Sequence, residues 1–327
     1  MAESIDLSVV VVAYNSINDL PHCIDSIAAA AHGVTYEILV VDNASCDGSA
    51  DWLRQHCPQV SLLASRQNLG FAAGNNLAFQ HARGRHIALI NPDARPQAGT
   101  LSEAVQWLDA HPAAGLVGGR LIDEAGTAQP AARCFPTPWR DFCVLSGLSA
   151  WFPKSRWLGG LDRGWADPLA PAQVDWIPGA FIVLRKAALF QVGLFDERFF
   201  LYYEEVDLCQ RLRRIGFEVH YQPQWLAIHA GGNSSRSVAS GHFNHHGSQL
   251  TLWRMRSALM YYRKQHGLRG VWLAYLLEQG WHGLRCLRHA FSGGNRIKQA
   301  ESRVQLRLLG QAWDDTQGGR QSPPRPW

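Results

Sequence analysis

The chain has 327 residues, of which 46% are hydrophobic and 18% are charged, which is enough to bury a sizeable core. Lysine and arginine number 31 against 27 acidic residues; this formal charge of +4 is too small to predict a nucleic-acid-binding protein but suits an anionic small molecule or lipid headgroup. The seven cysteines are scattered, odd in number and never form a CxxC pair, which argues against a disulfide framework or a zinc site and favours a reducing compartment.

The amino-terminal residues, 1–15, lack the basic region that precedes the apolar run of a signal peptide, and their apolar run is short enough to be a strand. The longest apolar runs, such as 271–277, fall far below the roughly 18 residues that a membrane-spanning helix needs. We therefore expect a cytoplasmic protein that crosses no membrane and whose contact with one, if any, is peripheral and at the inner face.

Strands and helices are predicted to alternate through roughly the first 120 residues. Apolar runs rich in valine, isoleucine and leucine are each followed by a helical stretch, which is typical of a parallel sheet covered by helices on both faces. The predicted strands lie at 7–13, 36–42, 60–65, 86–91 and 115–122.

Residues 130–172 break this pattern, because they contain many prolines and several tryptophans with little periodicity. A long irregular segment inside a compact chain is usually a functional loop, and its aromatic content favours a loop that covers a substrate. Regular structure is predicted to return with a strand pair or bent strand at 174–186, a helix at 204–216 and a strand at 217–229.

From about residue 240 onward the sequence predicts helices that are apolar on one side, with tryptophan, tyrosine, arginine and lysine interleaved. Two interpretations stay open. The helices pack on the preceding domain, or they lie in a membrane interface, where tryptophan with basic flanks is favoured.

Polar, turn-forming residues follow the first four predicted strands. In "HIALINPDARP" the strand must stop at Pro92, which cannot donate to a ladder, and Asp93 emerges directly after it. Because ligands of open parallel sheets bind outside the carboxyl ends of the strands, four such tips indicate a site for a nucleotide-shaped ligand. No GxGxxG follows the first strand and no GxxxxGK[ST] occurs, which disfavours a dinucleotide oxidoreductase and a P-loop kinase.

The stretches "VVVVAYNS", "EILVVDNASCDGS", "RQNLGFAAGNN", "LINPDA", "WIPGAFIVLRK", "FDERFFLYYEEVDLCQRLRRIG" and "HAGGNSS" occur in the order seen in family-2 inverting glycosyltransferases. Over roughly residues 5–235 the chain resembles the bacterial rhamnosyltransferase-type branch, which builds cell-surface polysaccharide. The resemblance implies an α/β fold of the glycosyltransferase-A type. Such a fold has a Rossmann-like, mostly parallel sheet with helices on both faces, here with a helical C-terminal extension.

The resemblance also implies a donor site at the strand tips. Asp93 matches the last acid of the family's DxD motif, which binds Mg²⁺ or Mn²⁺ at the donor's diphosphate, and Asn91 stands where the first acid is usual. His229 matches a histidine near the diphosphate and metal, although a histidine at a strand end is also commonly a packed or capping residue. The residues expected around the nucleobase, ribose and sugar are Ala13, Tyr14, Asn15, Asp42, Asn68, Gly70, Gly74 and Asn76.

An inverting transfer needs a carboxylate that takes the proton from the acceptor hydroxyl. By position in the family motif this base is Glu205, with Glu204 as the next candidate. Asp207 is instead expected to pair with Arg211 one helical turn later. Trp176 lies in the segment that shapes the sugar and acceptor pocket in the family, but a buried tryptophan is equally good core material.

The predicted function is therefore transfer of a sugar from a nucleotide-sugar donor, first dTDP-rhamnose and next a UDP-linked hexose, to a saccharide or lipid-linked saccharide. A nucleotidyltransferase on the same fold would have a basic, glycine-rich loop after the first strand, and this chain lacks one. Asn91 leaves open the alternative that the protein is a non-catalytic nucleotide-sugar binder. The oligomeric state is not predicted. The expected organisation is a catalytic domain at 1–235, with a nucleotide-sugar-binding half (1–125) and an acceptor half (126–235), a helical extension at 236–297, and a partly disordered tail at 298–327.

Overall fold

The computed structural model of the protein describes residues 5–231, 248–291 and 296–324. Its central feature is a ten-stranded sheet in the order β3-β2-β1-β4-β9-β6-β10-β5, with β7 paired to β6 and β8 paired to β10. The strands are β1 Leu7–Ala13, β2 Tyr36–Asp42, β3 Val60–Ala64, β4 His86–Ile90, β5 Ala94–Pro96, β6 Ala114–Ile122, β7 Ala128–Gln129, β8 Ala172–Gln173, β9 Phe181–Arg185 and β10 Glu218–His229.

Six of these strands point the same way. β1 is parallel to β2 and β4, β2 to β3, and β6 to β10, whereas β9 runs antiparallel between β4 and β6. The carboxyl ends of β1, β2, β3, β4, β6 and β10 therefore meet at one edge of the sheet. The predicted mostly parallel α/β architecture is confirmed.

The helices cover both faces of this sheet. Consecutive residues of β1, which point to opposite faces, are almost completely buried, among them Val9, Val10 and Val11. The helices are α1 Leu20–Ala30, α2 Ser49–His56, α3 Gly70–His81, α4 Thr100–Ala110, α5 Pro138–Ser146, α6 Leu148–Trp151, α7 Lys186–Val192, α8 Glu204–Arg214, α9 Ser248–Phe291 and α10 Arg296–Thr316.

The irregular segment predicted at 130–172 contains α5 and α6 joined by turns, and it packs on α9 rather than on the sheet alone. Gly147 lies between the two helices, and its φ of 82° ends α5. This left-handed conformation is one that glycine adopts readily. At 174–186 only Phe181–Arg185 is a strand, and Lys186 already begins α7.

The C-terminal region is a pair of packed helices. α9 changes direction at Gly267, whose φ of 67° is not helical, and α10 returns along it. The prediction of a partly disordered tail at 298–327 is wrong as far as Thr316, since this stretch belongs to α10. Leu308, Leu309 and Ala312 form a buried stripe at helical spacing. The prediction of disorder rested on the end of the chain, "TQGGRQSPPRPW".

Candidate active site

Two cavities lie side by side near the carboxyl edge of the sheet. The first, here called the strand-edge cavity, has a volume of about 370 Å³ and is lined by the strand tips together with Phe200 to Tyr202 and Trp253. The second, the helix-side cavity, has a volume of about 510 Å³ and lies between α5, α8 and α9. Tyr202 lines both cavities, so the two spaces adjoin at this residue.

Two asparagine side chains build one wall of the strand-edge cavity. The amide of Asn43 donates to Asn68 Oδ1 at 3.0 Å and to the Gly70 carbonyl at 3.1 Å, and its oxygen accepts from the Leu69 N–H at 2.9 Å. Asn68 Oδ1 also accepts from the Gly70 N–H at 2.9 Å. This network fixes the turn between β3 and α3. Asn43 follows β2 directly in the sequence, but the motif comparison had not assigned it to the site.

Gly70 is required at this turn for a steric reason. Its φ is 80°, and a Cβ placed on it would lie only 2.4 Å from the Phe200 carbonyl oxygen. The Phe71 N–H donates to that same oxygen at 2.8 Å. The α3 turn and the loop before α8 are therefore held together across the cavity.

Asp42 lies at the end of β2, beside Asn43, and is 3% exposed. Its Oδ2 accepts from the Ser45 N–H at 3.3 Å, whereas its Oδ1 is buried with no hydrogen-bond partner among the described residues. A buried carboxylate oxygen without a donor is energetically costly. A ligand N–H or O–H would satisfy this oxygen, but Asp42 lines neither cavity in the described part of the chain.

Five of the predicted donor-site residues do not line either cavity in the described part of the chain: Ala13, Asn15, Asp42, Gly74 and Asn76. Asn15 accepts from the Cys46 N–H at 2.8 Å and so joins the first two strand tips. The Asn76 amide binds the backbone of Phe195 in both directions, at 2.9 and 3.0 Å. These residues shape the loops around the site, while Tyr14, Asn68, Gly70, Asn91 and Asp93 line the strand-edge cavity itself.

Asp93 and His229 face each other at the same edge. β10 ends at His229, whose register partner is Ala94 in β5, and this pairing brings His229 Nε2 to 3.4 Å from Asp93 Oδ1. The Asn91 amide nitrogen lies 3.5 Å from the same ring nitrogen. The sequence motifs thus come together in space, although the two residues of the pair are far apart along the chain.

Gln129 determines how the His229 ring is presented. Its amide nitrogen donates to the His229 carbonyl at 2.8 Å, so its Oε1 must accept the hydrogen bond from Nδ1, at 2.7 Å. With the proton on Nδ1, the lone pair of Nε2 faces Asp93. An imidazole nitrogen held in this orientation by Gln129, together with a carboxylate oxygen, fits a divalent cation. No cluster of three or more His, Cys, Asp or Glu ligands occurs among the described residues, so further ligands must come from elsewhere.

The carboxylates of α8 lie in an unusual turn. Tyr202 and Tyr203 both have φ near 70°, a conformation that is strained for bulky residues, and the helix begins directly after them. This turn directs Glu204 and Glu205 inward. One oxygen of each carboxyl group, Oε2, is buried with no hydrogen-bond partner among the residues that the structure describes.

Burial raises the pKa of Glu205 to about 6. The positive charge of Arg133 lowers this pKa and so offsets the effect of burial in part. Burial also raises the pKa of Glu204 well above its usual range, and the neighbouring charge of Glu205 raises it further. Glu205 lines the helix-side cavity and Glu204 does not. Glu205 therefore combines access to a ligand with a pKa close to neutrality.

Asp207 has the structural role predicted for it. It accepts from Arg211 Nε at 2.9 Å, from Lys264 at 2.8 Å and from Gln265 at 2.7 Å, and it is fully buried. These bonds connect α8 to α9. The pairing expected between Asp207 and Arg211 is confirmed.

Trp176 is a buried core residue that also lines a cavity. It is 6% exposed and donates through Nε1 to the Cys134 carbonyl at 2.8 Å, as a core residue would. It also lines the helix-side cavity, and the Arg133 guanidinium stacks over its ring at 4.8 Å. The remaining walls of this cavity are mostly apolar side chains of α5 and α9, with Asp141, Arg254 and Glu278 among them.

Comparison with known proteins agrees with this geometry. Residues 8–143 match the family model described as glycosyl transferase family 2. The chain is 29% identical over 254 residues to the N-acetylglucosaminyl-diphospho-decaprenol L-rhamnosyltransferase of Mycobacterium tuberculosis, covering 74% of this chain and 82% of that protein. It is 27% identical over 239 residues to rhamnosyltransferase WbbL of Escherichia coli K12, covering 69% and 81%.

Among solved structures, the mannosyltransferase PcManGT of Pyrobaculum calidifontis, in complex with GDP-Man and Mn²⁺, superposes with a TM-score of 0.54. The match covers 97% of this chain and 88% of the mannosyltransferase at 18% identity, a level that supports the fold alone. The expected glycosyltransferase-A architecture is confirmed. Residues 8–143 therefore resemble glycosyl transferase family 2 domains, and about 70% of the chain is similar in sequence to bacterial rhamnosyltransferases.

Proposed function

We propose that the protein is a metal-dependent, inverting glycosyltransferase of cell-surface polysaccharide synthesis. The donor is a nucleotide sugar, with dTDP-rhamnose as the first candidate and a UDP-linked hexose as the second. The observation that carries the proposal is the adjacency of the two cavities at Tyr202. One holds the Asp93–His229 pair, and the other holds Glu205 with its raised pKa.

In this proposal the donor occupies the strand-edge cavity. Asn43 and Asn68 fix the wall against which the nucleotide lies, and the nucleotide extends past this wall to Asp42 Oδ1, which accepts a hydrogen bond from it. Asp93 and His229 would hold Mg²⁺ or Mn²⁺, and phosphate oxygens of the donor would supply further ligands. A bound divalent cation stabilises the negative charge that develops on the departing nucleoside diphosphate.

The acceptor enters the helix-side cavity. Glu205 takes the proton from its hydroxyl group as the hydroxyl oxygen attacks the anomeric carbon. The new glycosidic bond forms on the face opposite to the breaking bond, so the anomeric configuration inverts and the nucleoside diphosphate leaves. A base with a pKa of about 6 is mostly ionised at neutral pH and still accepts a proton readily.

The same cavity supports a proposal for the acceptor class. Its walls from α5 and α9 are mostly apolar, and Arg133 and Arg254 also line it, a combination that suits a saccharide linked through phosphate to a lipid. The name of the M. tuberculosis relative describes an acceptor of that kind for that protein. We therefore place the protein at the inner face of a membrane. No helix in the described part of the chain meets the length and apolarity of a membrane span.

The direct test is transfer by the purified protein. It is incubated with Mn²⁺, a lipid-linked saccharide and either dTDP-rhamnose, UDP-glucose or UDP-N-acetylglucosamine, and the products are analysed by mass spectrometry and by NMR of the anomeric proton. A rhamnosylated product of inverted configuration is expected. Binding of the donors in thermal shift without transfer to any acceptor would instead favour a non-catalytic nucleotide-sugar binder.

A further inference from the structure

The end of α6 and the turn after it carry large aromatic side chains that are unusually exposed. Trp151 and Trp157 are each 81% exposed and Phe152 is 48% exposed. Single exposed apolar residues are normal, but clustered exposed tryptophans mark a surface that contacts something else. We call residues 151–157 the aromatic tip.

A second apolar surface lies on α9 beyond Gly267. Its members are spaced so that they fall on one side of the helix, and most are more than half exposed. This surface, the α9 stripe, consists of Leu268, Trp272, Leu273, Leu276, Leu284 and Leu287.

Side-chain contacts connect the aromatic tip to α9 through α5. Trp139 on α5 donates from Nε1 to the Trp157 carbonyl at 3.0 Å. Phe142, one turn later on α5, meets Trp281 of α9 edge to face, with ring centres 6.4 Å apart. Residues of α5 and α9 also line the helix-side cavity. The aromatic tip thus contacts α5, one of the helices that line this cavity, and the α9 stripe lies on another.

The exposed charged residues of both surfaces are basic. Lys154 and Arg156 are exposed within the aromatic tip, and Arg269 and Arg288 are exposed on α9. The tip has no acidic residue, and Glu278, the one acid between 268 and 288, lines the helix-side cavity instead. Tryptophan and leucine interleaved with basic residues is the composition that binds the interface of an anionic bilayer.

We propose that the aromatic tip and the α9 stripe dock together on an anionic lipid bilayer. The inference extends the proposed function, because docking there would bring the helix-side cavity to the membrane surface where a lipid-linked acceptor resides. The docking itself does not depend on catalysis, so it is testable separately.

The test is co-sedimentation of the full chain with vesicles of phosphatidylcholine containing 30% phosphatidylglycerol, compared with phosphatidylcholine alone. The wild-type protein is expected to bind the anionic vesicles, and the double variant Trp151→Ser/Trp157→Ser is expected to lose about tenfold or more in partitioning. The double variant Lys154→Gln/Arg156→Gln should lose about fivefold per residue on anionic vesicles only. Phe190→Ser, which changes a half-exposed aromatic residue on α7, is the matched control and should bind as wild type does.

Failure of the wild type to bind either vesicle would overturn the docking proposal, as would equal binding by the tryptophan variant. A dimer seen by analytical ultracentrifugation, and lost in the tryptophan variant, would assign the surface to a second copy of the chain and would also overturn it. Activity distinguishes the two proposals. The tryptophan variant should retain transfer to a detergent-dispersed acceptor and lose transfer to an acceptor in vesicles, whereas a wild type that binds vesicles but transfers nothing would reject only the proposed enzyme function.

Discussion

Replacement of Glu205 by glutamine should change both the rate of sugar transfer and the stability of the fold. The substitution keeps the shape of the side chain and removes its charge and its basicity. If Glu205 is the base, the rate of transfer should fall by about 10²- to 10⁴-fold, the usual contribution of a general base. The affinity for the nucleotide donor should be unchanged, because Glu205 lies in the helix-side cavity and does not line the strand-edge cavity.

The same substitution should stabilise the fold in a pH-dependent way. Burial raises the pKa of Glu205 from 4.5 to about 6, so the folded state binds this proton more tightly than the unfolded state does. The stabilisation is fully present below pH 4.5 and is lost as the pH rises through 6. A pKa difference of about 1.5 corresponds to about 2 kcal/mol, so Glu205→Gln should raise the free energy of unfolding by about that much at pH 8 and by little at pH 4.5.

The assays are urea denaturation at both pH values, donor titration, and transfer kinetics from pH 5 to pH 8. The wild-type rate should fall on the acid side with a midpoint near pH 6, where Glu205 becomes protonated. Glu124→Gln, which changes an exposed carboxylate, serves as the control for loss of one negative charge. Near-normal turnover by Glu205→Gln would refute the assignment and move the role to Glu204. Lower stability than the wild type at pH 8 would refute the electrostatic reasoning.

Three further predictions concern the strand-edge cavity. Gln129→Leu removes the acceptor that fixes the His229 ring, and should weaken Mn²⁺ affinity about 10- to 100-fold in a metal titration while the circular dichroism spectrum is unchanged; equal affinity would contradict the positioning role. Gly70→Ala forces a Cβ against the Phe200 carbonyl in a left-handed conformation, and should lower the free energy of unfolding by about 1–3 kcal/mol in urea; a neutral effect would contradict the steric argument. Asp42→Ala should reduce nucleotide affinity in calorimetry without destabilising the protein, since one of its oxygens has no partner among the described residues; unchanged affinity would remove it from the site.

The sheet was predictable because each strand in the first half is an apolar run that stops at polar or proline-containing turns. The Asn91-Pro92-Asp93 stop, for example, comes directly after β4, where the structure ends the strand. These turns lie together at one edge of a parallel sheet, so the strand pattern was sufficient to predict the location of the candidate site. The identity of the individual ligands was less accessible.

Residues whose roles depend on distant partners could not be recognised in the sequence. Gln129 belongs to a two-residue strand, and only its pairing with β6 brings it beside His229. Asn76 lies in a motif that matches the family, but its amide serves the Phe195 backbone, which is 119 residues away. α10 was missed because its polar residues outnumber a stripe whose burial requires α9 as a partner.

The proposed reaction requires a nucleotide donor that is held at the strand tips through a metal shared by Asp93 and His229. The measurement that tests it most directly is calorimetric titration of dTDP and of UDP into the wild-type protein and Asp93→Asn, with and without Mn²⁺. Mn²⁺ should strengthen binding of at least one of the two nucleotides to the wild type by about tenfold or more, and Asp93→Asn should lose this gain while remaining folded. Metal-independent binding of the same affinity in both proteins would contradict the account.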